Sequence, residues 1–335
     1  MVDLKETTEM ESKENPNGIY RYTEYHYKKR KEHFLDIYGK CYSFMSDVFN
    51  MARSGGVPSY REVTAYTELL YREYTENLDS LIIFGRVNFD DYEYFASHSV
   101  NRAFLSLTLA ENMEMPEEKK IKLGASAMLA DIGLAKIPFK IISKKGRLTP
   151  QEYNIIKTHP IQTYKLLQKS GDYDIEVLST VLEHHELSDG TGYPRGLHSD
   201  EISTYAKIIG IADSYAAMIS KRVYKGKLTT SAAMKSMLQE VSTKYDQDLL
   251  RIFLSAMSIY PLGSYVLLNT GEVGLVVKPN KGRPLRPYVK VLFDRRGEKV
   301  QAPYVYNLLK HQQHFIVKPI ENPAAHFSGA ADEKQ

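Results

Sequence analysis

The chain has 335 residues, with 44 Lys and Arg against 41 Asp and Glu; a net charge of +3 is too even a balance to argue for a nucleic-acid partner. Its length suffices to bury a sizeable core in two or three units, and its one cysteine, Cys41, excludes an intramolecular disulfide and fits a reducing compartment. No apolar run reaches the length of a membrane span, and the polar start MVDLKETTEMESKENPNG lacks the apolar centre of a signal peptide, so a cytoplasmic protein without a membrane partner is expected.

Residues 1–18 are charged and nearly free of apolar side chains, which predicts disorder. Over 19–87 the pattern is helical. Phe34, Ile37, Tyr38, Cys41, Met45, Val48 and Phe49 recur at steps of three and four, SGGVPS at 54–59 breaks the run, and Val63, Tyr66, Leu69, Leu70 and Leu78 resume it. An antiparallel helical hairpin is expected, which must bury its stripes against the downstream domain or a second copy. A homodimer through these helices and a protein signalling partner are the partners this region suggests, by analogy with upstream modules of signalling enzymes. KKRK at 28–31 reads as a solvated helix face, His26 and His33 as surface residues, and Cys41 as core. From 88 to 260 apolar residues recur with helical period and short breaks, which predicts a helical bundle. Over 261–320, short β-rich runs separated by NTG, PNKGRP and DRRG predict a small barrel or curled sheet, and 321–335 read as a flexible tail.

The most specific stretch is HHELSDGTGYPRGL at 184–197. Ile175, Val177, Leu178, Val181 and Leu182 place His184 and His185 in the last turn of a helix. Successive helical side chains diverge by roughly 100°, which suits a cluster approached from two sides. Gly190 and Gly192 permit backbone angles that other residues avoid and Pro194 stiffens the exit, so the loop with Asp189 and Tyr193 can hold a defined shape close to a ligand. His98, Asp131, His159, the 184–185 pair and Asp213 follow one another at intervals of about one helix and its connection. Each would then come from a different helix and point inward, as in the metal sites of bundles.

HHE-x2-DG-x-GYP-x-GL resembles the signature of HD-GYP proteins, a branch of the HD metal-dependent phosphohydrolases associated with hydrolysis of the bacterial messenger cyclic di-GMP. The resemblance covers roughly 90–260 and implies a mainly α, HD-type bundle; the 261–320 piece is similar to a tail often found after that core. It implies metal ligands at His98, Asp131, His159, His184, His185 and Asp213, with Asp131 bridging two metals, and substrate contacts from Asp189, Gly190, Gly192, Tyr193 and Pro194. Iron or manganese is expected ahead of zinc, as one or two ions. The departure is at LADIGL, where Ala130 and Leu134 stand in place of the family's histidine and lysine. One metal position then retains at most His98, Asp131 and Asp213, whereas the other could be complete with Asp131, His159, His184 and His185. Lys136 is about 200° around a helix from the lost lysine and is a poor substitute. Two metals would share a water and neutralise charge on the phosphate, so both losses fall on catalysis while the GYP loop is intact. The reading is a metal-binding module of cyclic di-GMP signalling, recognising that or a related nucleotide, weak or inactive as a phosphodiesterase; the alternative is an active phosphodiesterase.

Overall fold

The structure is a computed structural model that describes residues 24–76, 93–144, 146–220, 230–240, 243–257, 264–278 and 285–320, with a few single residues beside them. The regions expected to be disordered, 1–18 and most of 321–335, and Leu78 lie outside the described residues. The chain divides into a helical unit, mainly 31–261, and a unit built on residues 262–280 and 286–335.

Helix α1 (Glu24–Ser54) and helix α2 (Tyr60–Glu76) form on either side of the glycine break. Phe34, Tyr38, Cys41 and Met45 are fully buried on α1, as are Val63 and Leu70 on α2. Of the two destinations open to these stripes, the downstream bundle receives them. Phe34 meets the Phe104 ring edge-on at 5.8 Å and the Tyr38 hydroxyl donates to Asn101 Oδ1 at 2.9 Å, both on α3 (Tyr94–Asn112). Helix α2 packs on α3 and on α4 (Glu117–Leu129). Burial pushes the Cys41 thiol up to about 12, which keeps it protonated and inert. His33 is exposed, and pairs with buried Glu73 at 3.2 Å.

Helix α3 is the axis of this unit: 96–110 are buried all round, packed on α4, on α9 (Thr204–Ile219) and on α11 (Gln247–Ala256). A helix buried on every side must be apolar on every side or pair its polar groups. Between α4 and α9 run a 3-10 turn (Ile132–Lys136), the short α5 (Phe139–Ile142), α6 (Pro150–Ile156), α7 (His159–Ser170) and α8 (Ile175–Glu183), and α10 (Thr230–Gln239) precedes α11. Their starts are written locally. Thr149 and Glu152 form a reciprocal capping box around Pro150, and Asp174 and Ser203 cap α8 and α9. Helix α8 ends at Glu183, so His184 and His185 occupy the turn after the helix rather than its last turn, and Ile175 at its start is exposed. Among the described residues no helix is long and apolar enough to cross a membrane.

The other unit is a five-stranded antiparallel sheet in the order β4-β3-β2-β1-β5: β1 (Tyr265–Leu268), β2 (Val273–Lys278), β3 (Tyr288–Phe293), β4 (Val305–Asn307) and β5 (Ile316–Ile320). Val266, Leu268, Val276, Val289 and Val291 are buried by the two-residue alternation that places them on one face. The barrel expected here does not form. The edge strands β4 and β5 are not paired with each other, and at three residues β4 offers too short a ladder to close the sheet.

Candidate metal centre

Two groups of side chains meet inside the helical unit and share Asp131. Asp131 stands at the break between α4 and the 3-10 turn, where the chain leaves helical geometry (φ −100°, ψ 2°). Thr163 on α7 clips this break in place: its hydroxyl donates to the Ala130 carbonyl and accepts from Gly133 N–H, both at 2.9 Å. The approach is so close that a Cβ on Gly133 would lie 2.1 Å from the His159 carbonyl oxygen, which only glycine avoids. This contact sets His159, the first residue of α7, beside Asp131.

In the first group, His159 Nε2 is 3.0 Å and His184 Nε2 3.4 Å from Asp131 Oδ1, and the two Nε2 atoms are 3.4 Å apart. His159 Nδ1 lies 2.9 Å from the Ile156 carbonyl and His184 Nδ1 2.8 Å from that of Val181. A carbonyl can only accept, so these contacts assign the protons to Nδ1 and turn both Nε2 lone pairs toward Asp131. Three acceptors at such distances repel one another unless a cation lies among them. Ligand atoms about 2.1 Å from a common ion stand about 3.0 to 3.4 Å apart, so the Asp131, His159, His184 and His185 set fits one metal ion. Burial pushes the His184 imidazole down despite Asp131; burial, and then the neighbouring His184, hold His185 well below its ordinary value. Both are therefore neutral and ready to ligate at neutral pH.

The pH dependence follows in sign. Bound metal should fall as pH drops, because protons compete for the imidazoles. The metal-free fold should also lose stability as pH falls below the ordinary histidine value of 6.5, since the unfolded chain then takes up protons that folded His184 and His185 refuse. His184→Ala and His185→Ala should each lower bound metal in elemental analysis; undiminished content in both variants refutes the assignment.

The ligand atoms of the second group, His98, Asp131 and Asp213, also lie close enough to hold an ion, and here they are paired with a cation of the chain itself. Arg102, one turn after His98 on α3 and fully buried, donates from Nη1 to Asp131 Oδ2 at 2.6 Å and to Asp213 Oδ1 at 2.9 Å, and from Nε to the Ala127 carbonyl at 2.9 Å. His98 Nε2 lies 2.8 Å from Asp213 Oδ1, as a donor to an acceptor-only carboxylate, so its lone pair is not offered there. Burial alone would raise both carboxyls. Arg102 holds Asp131, and His98 with Arg102 holds Asp213, well below the usual range. Leu134 is buried in the 3-10 turn, and Lys136 points elsewhere, donating to the Arg53 carbonyl at 2.9 Å.

The GYP loop is braced from below by two glutamates that the sequence reading passed over. Glu186 accepts from Arg195 N–H at 2.7 Å and Leu197 N–H at 2.9 Å; Glu183 accepts from the Arg195 guanidinium at 2.5 Å and Ser203 N–H at 2.9 Å. Asp189 turns into its own loop, accepting from Thr191 N–H and hydroxyl. Gly190 has φ +76°, and a Cβ on Gly192 would lie 2.3 Å from Leu187 N. These three residues shape the loop, which continues through a cis Tyr193–Pro194 bond. The Tyr193 ring lies 4.8 Å from that of His185, with Lys157 Nζ 5.4 Å from its centre. Tyr193 and His185 are half-buried, whereas Asp131, His159 and His184 are buried. Arg102 was the main omission. Its signal is a single cation in the otherwise uncharged run 96–110, four residues after a candidate ligand.

A helical bundle that gathers His and Asp side chains from several segments into one metal-competent cluster, followed by a small sheet, defines the class of protein. Residues 89–249 match the HD domain family and 265–326 the KOW domain associated with HD domain; the 89–249 region is an HD domain, and its GYP segment resembles that of the HD-GYP proteins. A cyclic di-GMP phosphodiesterase of Pseudomonas aeruginosa is 35% identical over 214 residues, 64% of this chain and 51% of that one. Another, of Borreliella burgdorferi, is 36% identical over 199 residues, 59% of this chain and 52% of that one. The chain thus spans about half the length of the curated relatives it matches. An HDGYP protein from Bdellovibrio bacteriovorus shares the fold, with a TM-score of 0.55 at 19% identity over 67% of this chain and 71% of that one.

Proposed function

We propose that the chain is a metal-binding module of cyclic di-GMP signalling that recognises the cyclic dinucleotide and hydrolyses it weakly or not at all. The observation that carries this is a four-ligand set, Asp131, His159, His184 and His185, beside a second set that is paired internally by Arg102 and has Ala130 where the resemblance implies a histidine. Iron or manganese, or else zinc, suits the mixed imidazole and carboxylate donors. When bound, such an ion supplies a Lewis acid for a phosphoryl oxygen and acidifies water. The residues supply the rest. Asp131 holds charge between the two groups, the loop glycines set the backbone, and the Tyr193 face beside Lys157 offers a base a stacking surface and a phosphate a cation. Leu134, with no charge, leaves the developing phosphate charge uncompensated where the family has lysine. In this reading ligand occupancy is passed to a protein partner.

Titration calorimetry of the metal-loaded protein with cyclic di-GMP, paired with a turnover assay, tests the reading. Binding with little or no linear product is the expected result. Absence of binding at high protein concentration removes the recognition role, and brisk turnover puts the active phosphodiesterase in its place.

A further inference from the structure

We infer that Arg102 is a built-in cation standing in for a second metal: its guanidinium, held between Asp131 and Asp213, closes the His98, Asp131 and Asp213 set to ions and makes this a one-metal centre. The inference rests on the proposed four-ligand site only for the identity of the metal that remains.

Three observations converge on it. Arg102 Nη1 lies 2.6 and 2.9 Å from one oxygen of each carboxylate, so it occupies the point that a shared ion would need. The guanidinium is fixed on a second side by Nε donating to the Ala127 carbonyl, and no part of its side chain is exposed. It therefore cannot swing aside into solvent to admit an ion. Ala127, whose carbonyl Arg102 grasps, and Ala130 at the end of α4 are both fully buried, so this end of the helix gives the guanidinium no path to water.

Charge decides the matter further. Asp131 and Asp213 carry two negative charges; Arg102 and one divalent ion already exceed them by one. A second divalent ion would sit against a buried guanidinium in a water-poor interior, which is why the arginine and the second metal exclude each other. His98 fits the same scheme. Donating from Nε2 to Asp213, it acts as a positioning residue for the carboxylate rather than as a ligand. Asp131 then ties one metal to one fixed cation instead of bridging two ions. Arginine, always charged, holds both carboxylates here from the single Nη1 without exchange, as a dissociable ion cannot.

The test is metal stoichiometry on the full chain, equilibrated with excess manganese and measured by elemental analysis alongside thermal unfolding. Wild type should hold one equivalent, lost in His184→Ala and kept in the near-isosteric Asp213→Asn. Arg102→Ala should take up a second equivalent, with an unfolding temperature that climbs with manganese concentration far more steeply than wild type's; Arg102→Lys should stay at one. Two equivalents in wild type, or loss of an equivalent in Asp213→Asn, overturns the proposal. If Arg102→Ala does not fold even with manganese, those two measurements still decide it. No metal in wild type would sink the four-ligand reading instead, and a gain of one equivalent in Arg102→Ala would then still support the arginine's role.

Discussion

Asp131→Ala should abolish metal binding and destabilise the protein by about 3 kcal/mol, since removing one partner of a buried ion pair typically costs about 3 to 5 and Asp213 remains to hold part of the arginine's charge. Asp131 is the one residue common to both groups: Oδ1 faces His159 and His184, and Oδ2 accepts from Arg102. Truncation thus leaves a buried guanidinium half compensated while the histidine set loses its anion. Asp131→Asn separates the two effects. The amide oxygen can still accept from Arg102, so stability should be largely kept while metal content falls, because a neutral oxygen is a weaker ligand than a carboxylate. Denaturant melts and elemental analysis of both variants check this; full metal content in Asp131→Ala would mean that the ion is held elsewhere.

The second large effect concerns repair. Restoring the histidine and lysine by Ala130→His with Leu134→Lys should leave turnover of cyclic di-GMP near the wild-type level, because Arg102 still occupies the space between Asp131 and Asp213. Adding Arg102→Val should release that position and raise the rate by about a hundredfold or more, the scale on which one preorganised electrostatic group acts at about 3 kcal/mol. Large residues forced into a packed site cost roughly 1 to 3 kcal/mol, and Ala130 is fully buried, so folding of the triple variant must be verified first by its melting transition. Wild-type turnover equal to that of the triple variant would restore the active-enzyme reading; turnover gained by the double variant alone would show that the arginine is no obstacle.

Much of this was legible in the residues themselves. Helical period and the SGGVPS break are local signals, and they place α1 and α2 on either side of that break. The spacing of His98, Asp131, His159, His184, His185 and Asp213, one helix apart, was enough to foresee a cluster, and the HHE-x2-DG-x-GYP segment pointed to the family. The resemblance also implied a departure at Ala130, and with it an unequal completeness of the two ligand sets.

Tertiary structure alone decided how that inequality is resolved. A lone cation in an uncharged run marks Arg102 but does not fix its direction, since an arginine on a helix ordinarily reaches solvent; only the burial of α3 on every side leaves its guanidinium no water and two carboxylates from distant segments, 29 and 111 residues away, as partners. The same holds for Glu183 and Glu186, whose carboxylates brace a loop up to twenty residues on, and for the terminal unit, where strand pattern fixes a sheet but closure depends on whether its edges meet. Period and spacing are written along the chain; charge compensation and edge pairing are set by what lies across it, and they become definite only when the segments are brought together.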